Sequence, residues 1–290
     1  MTANILVNGL ISGGIYALLA AGFSLVFGVA KIMNMAHTAF FMICAYLLFM
    51  AGTKLSLPTA LSSFLAIAIT GIVAMACYRF FFDRVKQHMT AVMIISIALA
   101  ILFQELFLIS FGGFFQNVPP FVPGFTEIVG IRVSYQHLIA VGTSMLSLFA
   151  IWFLLSKTRI GNAIRAVADD REIANVMGID VSRISMITMG ISVVLASIAA
   201  VVVAPIFMVH PLMWIHPLVI ILAAVVLGGL GSVKGAVVAA LILGFAETAV
   251  VSLVPDGAFL RGAVSLSVMV IVLMVRPEGL FGVVFEEERL

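Results

Sequence analysis

Long apolar runs alternate with short polar breaks along the whole chain. Nine runs stand out: Ile5–Ala30, Ala39–Thr53, Leu57–Tyr78, Met89–Gly112, Val133–Ser156, Ile184–Val209, Leu218–Gly231, Ala236–Val254 and Ala263–Val275. Roughly 20 apolar residues cross a bilayer as a helix. The pattern therefore predicts an all-α polytopic membrane protein: one domain over residues 1–290, with about nine transmembrane or half-membrane helices. Ala39–Thr53, Leu218–Gly231 and Ala263–Val275 are short, as tilted helices, half-helices and re-entrant segments are.

Charge tests that count. With nine spans and the N-terminus outside, cytoplasmic loops hold Lys31, Arg79, Arg84, Lys86, Lys157, Arg159, Arg165, Arg171, Arg183, Lys234, Arg276 and Arg289. Outer loops hold only Lys54, Arg132 and Arg261, a split of 12 against 3. Basic residues favour the cytoplasmic side. If Leu218–Gly231 is re-entrant and eight segments span, the last loops swap sides, moving Lys234, Arg276 and Arg289 out and Arg261 in, and the split falls to 10 against 5. Nine spans fit better.

Composition agrees. Hydrophobic residues make up 63% of the 290 and charged residues 10%, and the mean hydropathy is +1.27. A soluble chain of this length needs far more polar surface. The net charge of +2 and the lack of a basic run argue against a nucleic-acid partner. No basic residue precedes the first apolar run, which is about twice a signal h-region in length, so it is expected to persist as a helix. Cys44 and Cys77 sit within apolar runs and read as small buried hydrophobes.

Two loops stand out. Gly113 to Arg132 carries Pro119, Pro120 and Pro123, which suits a rigid cap or a long turn. Lys157 to Arg183 holds five basic and four acidic residues. Nothing from Asn162 to Met177 breaks a helix, and Ile164, Val167, Ala168, Arg171, Ala174 and Met177 recur at helical steps. Gly178 follows where a helix C′ position favours glycine. The expectation is one short amphipathic cytoplasmic helix. Its mixed polar face suits a docked protein better than anionic lipid.

Polar residues at membrane depth are few. Glu247 is central in its run and must face the bundle interior or water; it lines the path, or it is a structural hydrogen-bond partner. Glu105, beside Gln104, lies toward the outer half of its helix, where it bonds within the bundle or reaches the outer vestibule. Asn34 and His37 follow the first helix; Asn34 is placed to cap the next helix, and together they are candidates for a gate. Gly228 and Gly229, with Gly231 and Gly235, mark a break at which unwound backbone could meet a zwitterion. His210 and His216 flank an outer hairpin, but two ligands are too few for a metal.

No phosphate-binding loop appears, so the chain is not expected to hydrolyse ATP. No catalytic constellation suggests an enzyme.

Longer segments carry a resemblance. RAVADDREIANVMGIDVSRI (Arg165 to Ile184), NGLISGGIYALLAAGFSLVFGVAKIMNMAH (Asn8 to His37), VLGGLGSVKGAVVAALILGFAE (Val226 to Glu247) and RPEGLFG (Arg276 to Gly282) resemble permease subunits of branched-chain amino-acid ABC importers. The likeness covers nearly the whole chain. It implies that the cytoplasmic loop at 157–183 is a coupling helix docking in an ATPase cleft, with Ile164, Arg165, Val167, Ala168, Asp169, Ala174, Met177 and Gly178 as candidate contacts. It also implies a second permease chain, related or a copy; two ATPase subunits carrying ATP and Mg; and a periplasmic solute-binding protein. This chain itself would bind no cofactor. Thr38 departs from the pattern, because the family often has glycine after the His. Urea, amide or other amino-acid transport in the same family remains open, as does an ion-coupled carrier using Glu105 or Glu247.

Overall fold

A computed structural model describes residues 2–86, 88–128 and 130–281. Gly282 and Arg289, used in the motif and charge readings, lie outside the described residues. Seven helices are long and apolar enough to cross a membrane, and two apolar helices are shorter. Together they account for the nine runs.

The long helices are α1 (Thr2–Ala30), α2 (His37–Phe49), α3 (Thr59–Cys77), α5 (Met89–Phe111), α6 (Tyr135–Lys157), α9 (Val181–Val203) and α11 (Val233–Leu253). A π-turn, Met50–Lys54, extends α2. Another, Tyr78–Phe82, joins α3 to the single turn α4 (Asp83–Val85). Between α6 and α9 lie α7 (Arg159–Asp169) and α8 (Arg171–Val176). The short apolar helices are α10 (Ile215–Gly228) and α12 (Arg261–Val275). At 1.5 Å per residue each reaches about 21 Å, short of a hydrocarbon core of about 30 Å.

Cross-contacts identify the two ends. Ser182 donates to Asp83 at 2.6 Å, Gly28 packs against Gly231, and Leu280 N–H donates to Leu227 O at 2.8 Å. These join the start of α9 to α4, the end of α1 to the turn before α11, and the segment after α12 to the end of α10, with α7 beside α1 and α9. At the other end Gln116 and Val209 exchange backbone hydrogen bonds. α9 therefore starts at the end where α10 finishes, and the chain between them turns toward the opposite end.

α1, α2 and α9 form the core, whereas α5 and α6 expose most of their length. A purely apolar helix surface has no hydrophobic drive to pair in lipid, so close contact depends on small residues. α1 meets α11 that way: a Cβ on Gly244 would overlap the backbone of Gly13.

Three features depart from the sequence expectations. First, the proline-bearing loop contains an antiparallel hairpin, β1 (Phe125–Ile128) with β2 (Ile131–Ser134), in an otherwise helical chain. Second, the loop helix expected over Asn162–Met177 is two helices. Asp170 is extended (φ −148, ψ 117), and its carboxylate accepts from Glu172 N and Ile173 N at 2.8 and 2.9 Å. Asp is an ordinary helix interior residue by pattern, yet its cap hydrogen bonds compete with continued helix. Third, the α1–α2 and α9–α10 connections are buried. Ile32, Asn34, Met35 and Ala36 are buried in the first, and Met213 and Trp214 in the second.

Candidate functional site: an inner cavity and a loop surface

The first connection turns back into the bundle. Lys31 takes a left-handed conformation (φ 52) directly after α1, a costly setting for a non-glycine residue. Asn34 is fully inside: its Oδ1 accepts from Ala36 N at 3.1 Å and its amide approaches Met189 Sδ at 3.5 Å. It shapes the turn before α2 and does not cap the helix, whose N-cap Ala36 has no side-chain hydrogen bond. His37 starts α2 with its ring edge-on to Phe23 at 5.9 Å and Nδ1 3.3 Å from Ser192 Oγ. Ser192 in turn donates to Gly22 O at 2.7 Å. Asn34 and His37 therefore lie in one buried layer between α1 and α9. Thr38 lies in α2 and is buried, so no left-handed residue is needed there.

The glycine break sits at the basic end. Gly228 and Gly235 are in backbone contact, and a Cβ on either would overlap the other. The carbonyls of Leu227 and Gly228 accept from Leu280 N–H at 2.8 Å and Phe281 N–H at 3.1 Å. The RPEGLFG segment is thus a clasp on the end of α10. Gly228 and Gly229 were read as unwound backbone open to a substrate; the structure uses those carbonyls within the chain.

Glu247 lies away from that clasp, on α11, and is 2% exposed. Tyr16 Oη donates to its Oε2 at 3.0 Å and Ser265 Oγ to its Oε1 at 2.6 Å, which ties α1, α11 and α12 together. It also lines a cavity of about 370 Å³ with Ser12, Ile15, Phe207 and Arg261. An adjoining cavity of about 410 Å³ shares Ser12, Ile15, Phe207 and Arg261 and adds Tyr16, Leu19 and Met213. Tyr16 is mid-way along α1, so the α9–α10 connection reaches the middle of the bundle. Trp214 Nε1 fixes it there by donating to Gln104 Oε1 at 2.9 Å, while Gln104 Nε2 donates to Glu105 at 3.1 Å. Sequence reasoning missed Arg261 and Phe207. Arg261 had been only a loop charge, and no periodicity brings residue 207 beside residue 12.

His210 and His216 both line the second cavity. Burial holds the His210 imidazole below its ordinary range, against the edge of Phe115 at 5.1 Å. Among the described residues no three His, Cys, Asp or Glu side chains gather as a metal site would need.

In the loop at 157–183 the apolar stripe faces inward. Ile164, Val167 and Ala174 are 1%, 0% and 3% exposed, and Ala168 is half-buried against the core. Arg165 is exposed but donates to Asn162 Oδ1 at 2.7 Å. A partner can reach Arg165, Asp169, Met177 and Gly178 of the candidate set, but not Ile164, Val167 or Ala174. The periodic face packs α7 and α8 onto the bundle. Ile173, Val176 and Met177 project outward, Val176 being 86% exposed. Gly178 follows with φ 84, and Ile179 N–H closes the turn on Ala174 O at 3.0 Å.

Known proteins share these sequences and this architecture. The family model described as "Branched-chain amino acid transport system / permease component" matches residues 5–274. The chain belongs to this permease family. Its relatives include the high-affinity branched-chain amino acid transport system permease protein BraD of Pseudomonas aeruginosa, 30% identical over 96% of this chain and 94% of BraD. The corresponding permease protein LivH of Escherichia coli is 26% identical over 95% of this chain and 94% of LivH. Permease family membership and the seven long apolar helices make the chain a multi-pass membrane protein. A solved structure, PsaBC from Streptococcus pneumoniae in complex with Fab, shares the fold at TM-score 0.55 and 16% identity, covering 94% of this chain and 92% of that one.

Proposed function

We propose that this chain is the transmembrane permease subunit of an ATP-driven importer for branched-chain amino acids in the bacterial inner membrane. One observation carries the reading: the permease family matches from residue 5 to 274, and relatives named for this transport align over nearly their whole lengths. The N-terminus lies outside and the C-terminus in the cytoplasm, in keeping with the basic loops gathered at one end.

The subunit pairs with a second permease, a related chain or a copy. Two cytoplasmic ATPase subunits, which bind ATP and Mg, dock on α7 and α8. A periplasmic binding protein delivers the solute to the opposite end. Exposed apolar side chains on a soluble face favour a protein partner, and Ile173, Val176 and Met177 form such a patch. α8 is tied to the bundle through Ala174, so a push on it moves the helices beneath. ATP and solute shift the bundle between its open states only by binding those states unequally.

The test is uptake by vesicles containing the permeases, ATPases and binding protein. Leucine, isoleucine or valine should accumulate only with ATP and binding protein together. Accumulation of urea or an amide instead would retain the importer and replace the substrate. Uptake indifferent to ATP would reject the importer.

A further inference from the structure

We infer that the cavity between α1, α11 and Arg261 binds a zwitterionic α-amino acid with an apolar side chain, its ammonium toward Glu247 and its carboxylate toward Arg261. The inference rests on the importer reading above and gives its substrate a position.

Both charges line one cavity of about 370 Å³, a size within the roughly 300–1,000 Å³ of small-molecule sites. Among the described residues Arg261 has no carboxylate within ion-pair distance; the ion pairs found are Arg79–Asp83, Lys86–Asp83 and Arg132–Glu127. A charge facing the inside of a membrane bundle without a partner is costly unless water or a ligand meets it. Guanidinium offers a planar fork that fits a carboxylate.

Glu247 accepts one hydrogen bond on each oxygen, from Tyr16 and Ser265. A carboxylate has about four acceptor sites, so it retains capacity for an ammonium. Tyr16 and Ser265 hold it in place. Ile11, Ile15, Ile206, Phe207 and Val251 give the wall apolar patches, set among polar Asn8, Ser12, His137, Thr248 and Ser252. A branched aliphatic side chain can fill the apolar patches, while Glu247 and Arg261 are the charged residues that line the cavity. Arg261 also lines the adjoining cavity, so a solute crossing from one to the other stays in reach of the same guanidinium.

The test uses the complete complex and a diazirine analogue of leucine, with cross-linked peptides mapped by mass spectrometry. Adducts are expected on Ile15, Ile206 or Phe207, and excess leucine should suppress them. E247Q and R261Q should each raise the leucine concentration needed for suppression by roughly tenfold or more, as loss of a charged hydrogen bond does. R261K should restore most of it. Leucinol lacks the carboxylate, so it should compete poorly in the wild type and about as well as leucine in R261Q. A preference for leucine over leucinol that is unchanged in R261Q would overturn the assignment of Arg261. Import by the wild type with adducts only outside the cavity would overturn the site while leaving the importer reading intact. A wild type that imports no branched-chain amino acid would remove both.

Discussion

At the basic end of the bundle, backbone touches backbone. Gly228 lies against Gly235, Gly28 against Gly231, and the 276–281 segment closes over the end of α10. Toward the opposite end two adjoining cavities reach down to Tyr16, bounded by the α9–α10 connection and by Arg261, which has no carboxylate within ion-pair distance among the described residues. The difference lies in what each end must transmit. A tight glycine contact has no slack, so the ends of α1 and α10 and the start of α11 must move together. A cavity lined by polar groups can exchange water for solute at little cost to packing. The proposed coupling draws on the first property and the proposed solute site on the second.

The sharpest way to break this contrast is to put a side chain into the glycine contact. Gly228→Val should abolish folded permease, because the new Cβ would overlap Gly235 and overpacking of rigid backbone costs about 3 kcal/mol or more. Size-exclusion of the solubilised protein is the measurement. Gly142→Val is the matched control, since nothing lies within 4 Å of a Cβ there; its yield should be near normal. A normal yield for Gly228→Val would mean that the end is not rigid.

The loop surface allows a second comparison, between its inward and outward residues. Ala174→Trp should lower the melting temperature of the permease itself, through a cost of about 1–3 kcal/mol for overfilling a closed site. Met177→Asp, on a side chain 76% exposed, should leave melting unchanged and reduce ATPase copurification severalfold. The reverse pattern would mean that the buried stripe is the docking face after all.

The smallest effect probes the end with the cavities. Gln104→Leu removes the hydrogen bond from Trp214, worth about 1 kcal/mol. It should shift Trp214 emission while the permease remains folded. Trp152 is half exposed on α6 and supplies a constant background. No spectral change would mean that the α9–α10 connection is not fixed by that contact.

Much of this was legible in the sequence. The nine apolar runs anticipate the nine apolar helices, because length and hydropathy alone decide what a bilayer accepts. Gly178 was readable as a helix end because few other residues take φ 84 easily. Elsewhere the periodic pattern misled for a physical reason: an apolar stripe says that a face is buried, not against what. Ile164, Val167 and Ala174 satisfy that stripe within their own chain, and the outward Ile173 and Val176 fall outside its period. Asp170 is one of the four acids counted in the loop at 157–183, and no periodic pattern shows that its short carboxylate ends one helix and starts the next. The meeting of Glu247 with Tyr16, Ser265 and Arg261 depends on how α1, α11 and α12 pack, and local pattern carries no record of that.

The role of the basic end is tested most directly by a single cysteine at Val176, joined to its neighbour by a short bifunctional reagent in the assembled complex. Cys44 and Cys77 are both buried, so the new thiol is the accessible one, and Phe125→Cys on the outer hairpin serves as its counterpart. The account predicts that Val176→Cys cross-links to an ATPase subunit and Phe125→Cys does not. An ATPase cross-link from position 125, with none from 176, would invert the assignment of the two ends and contradict the proposed coupling.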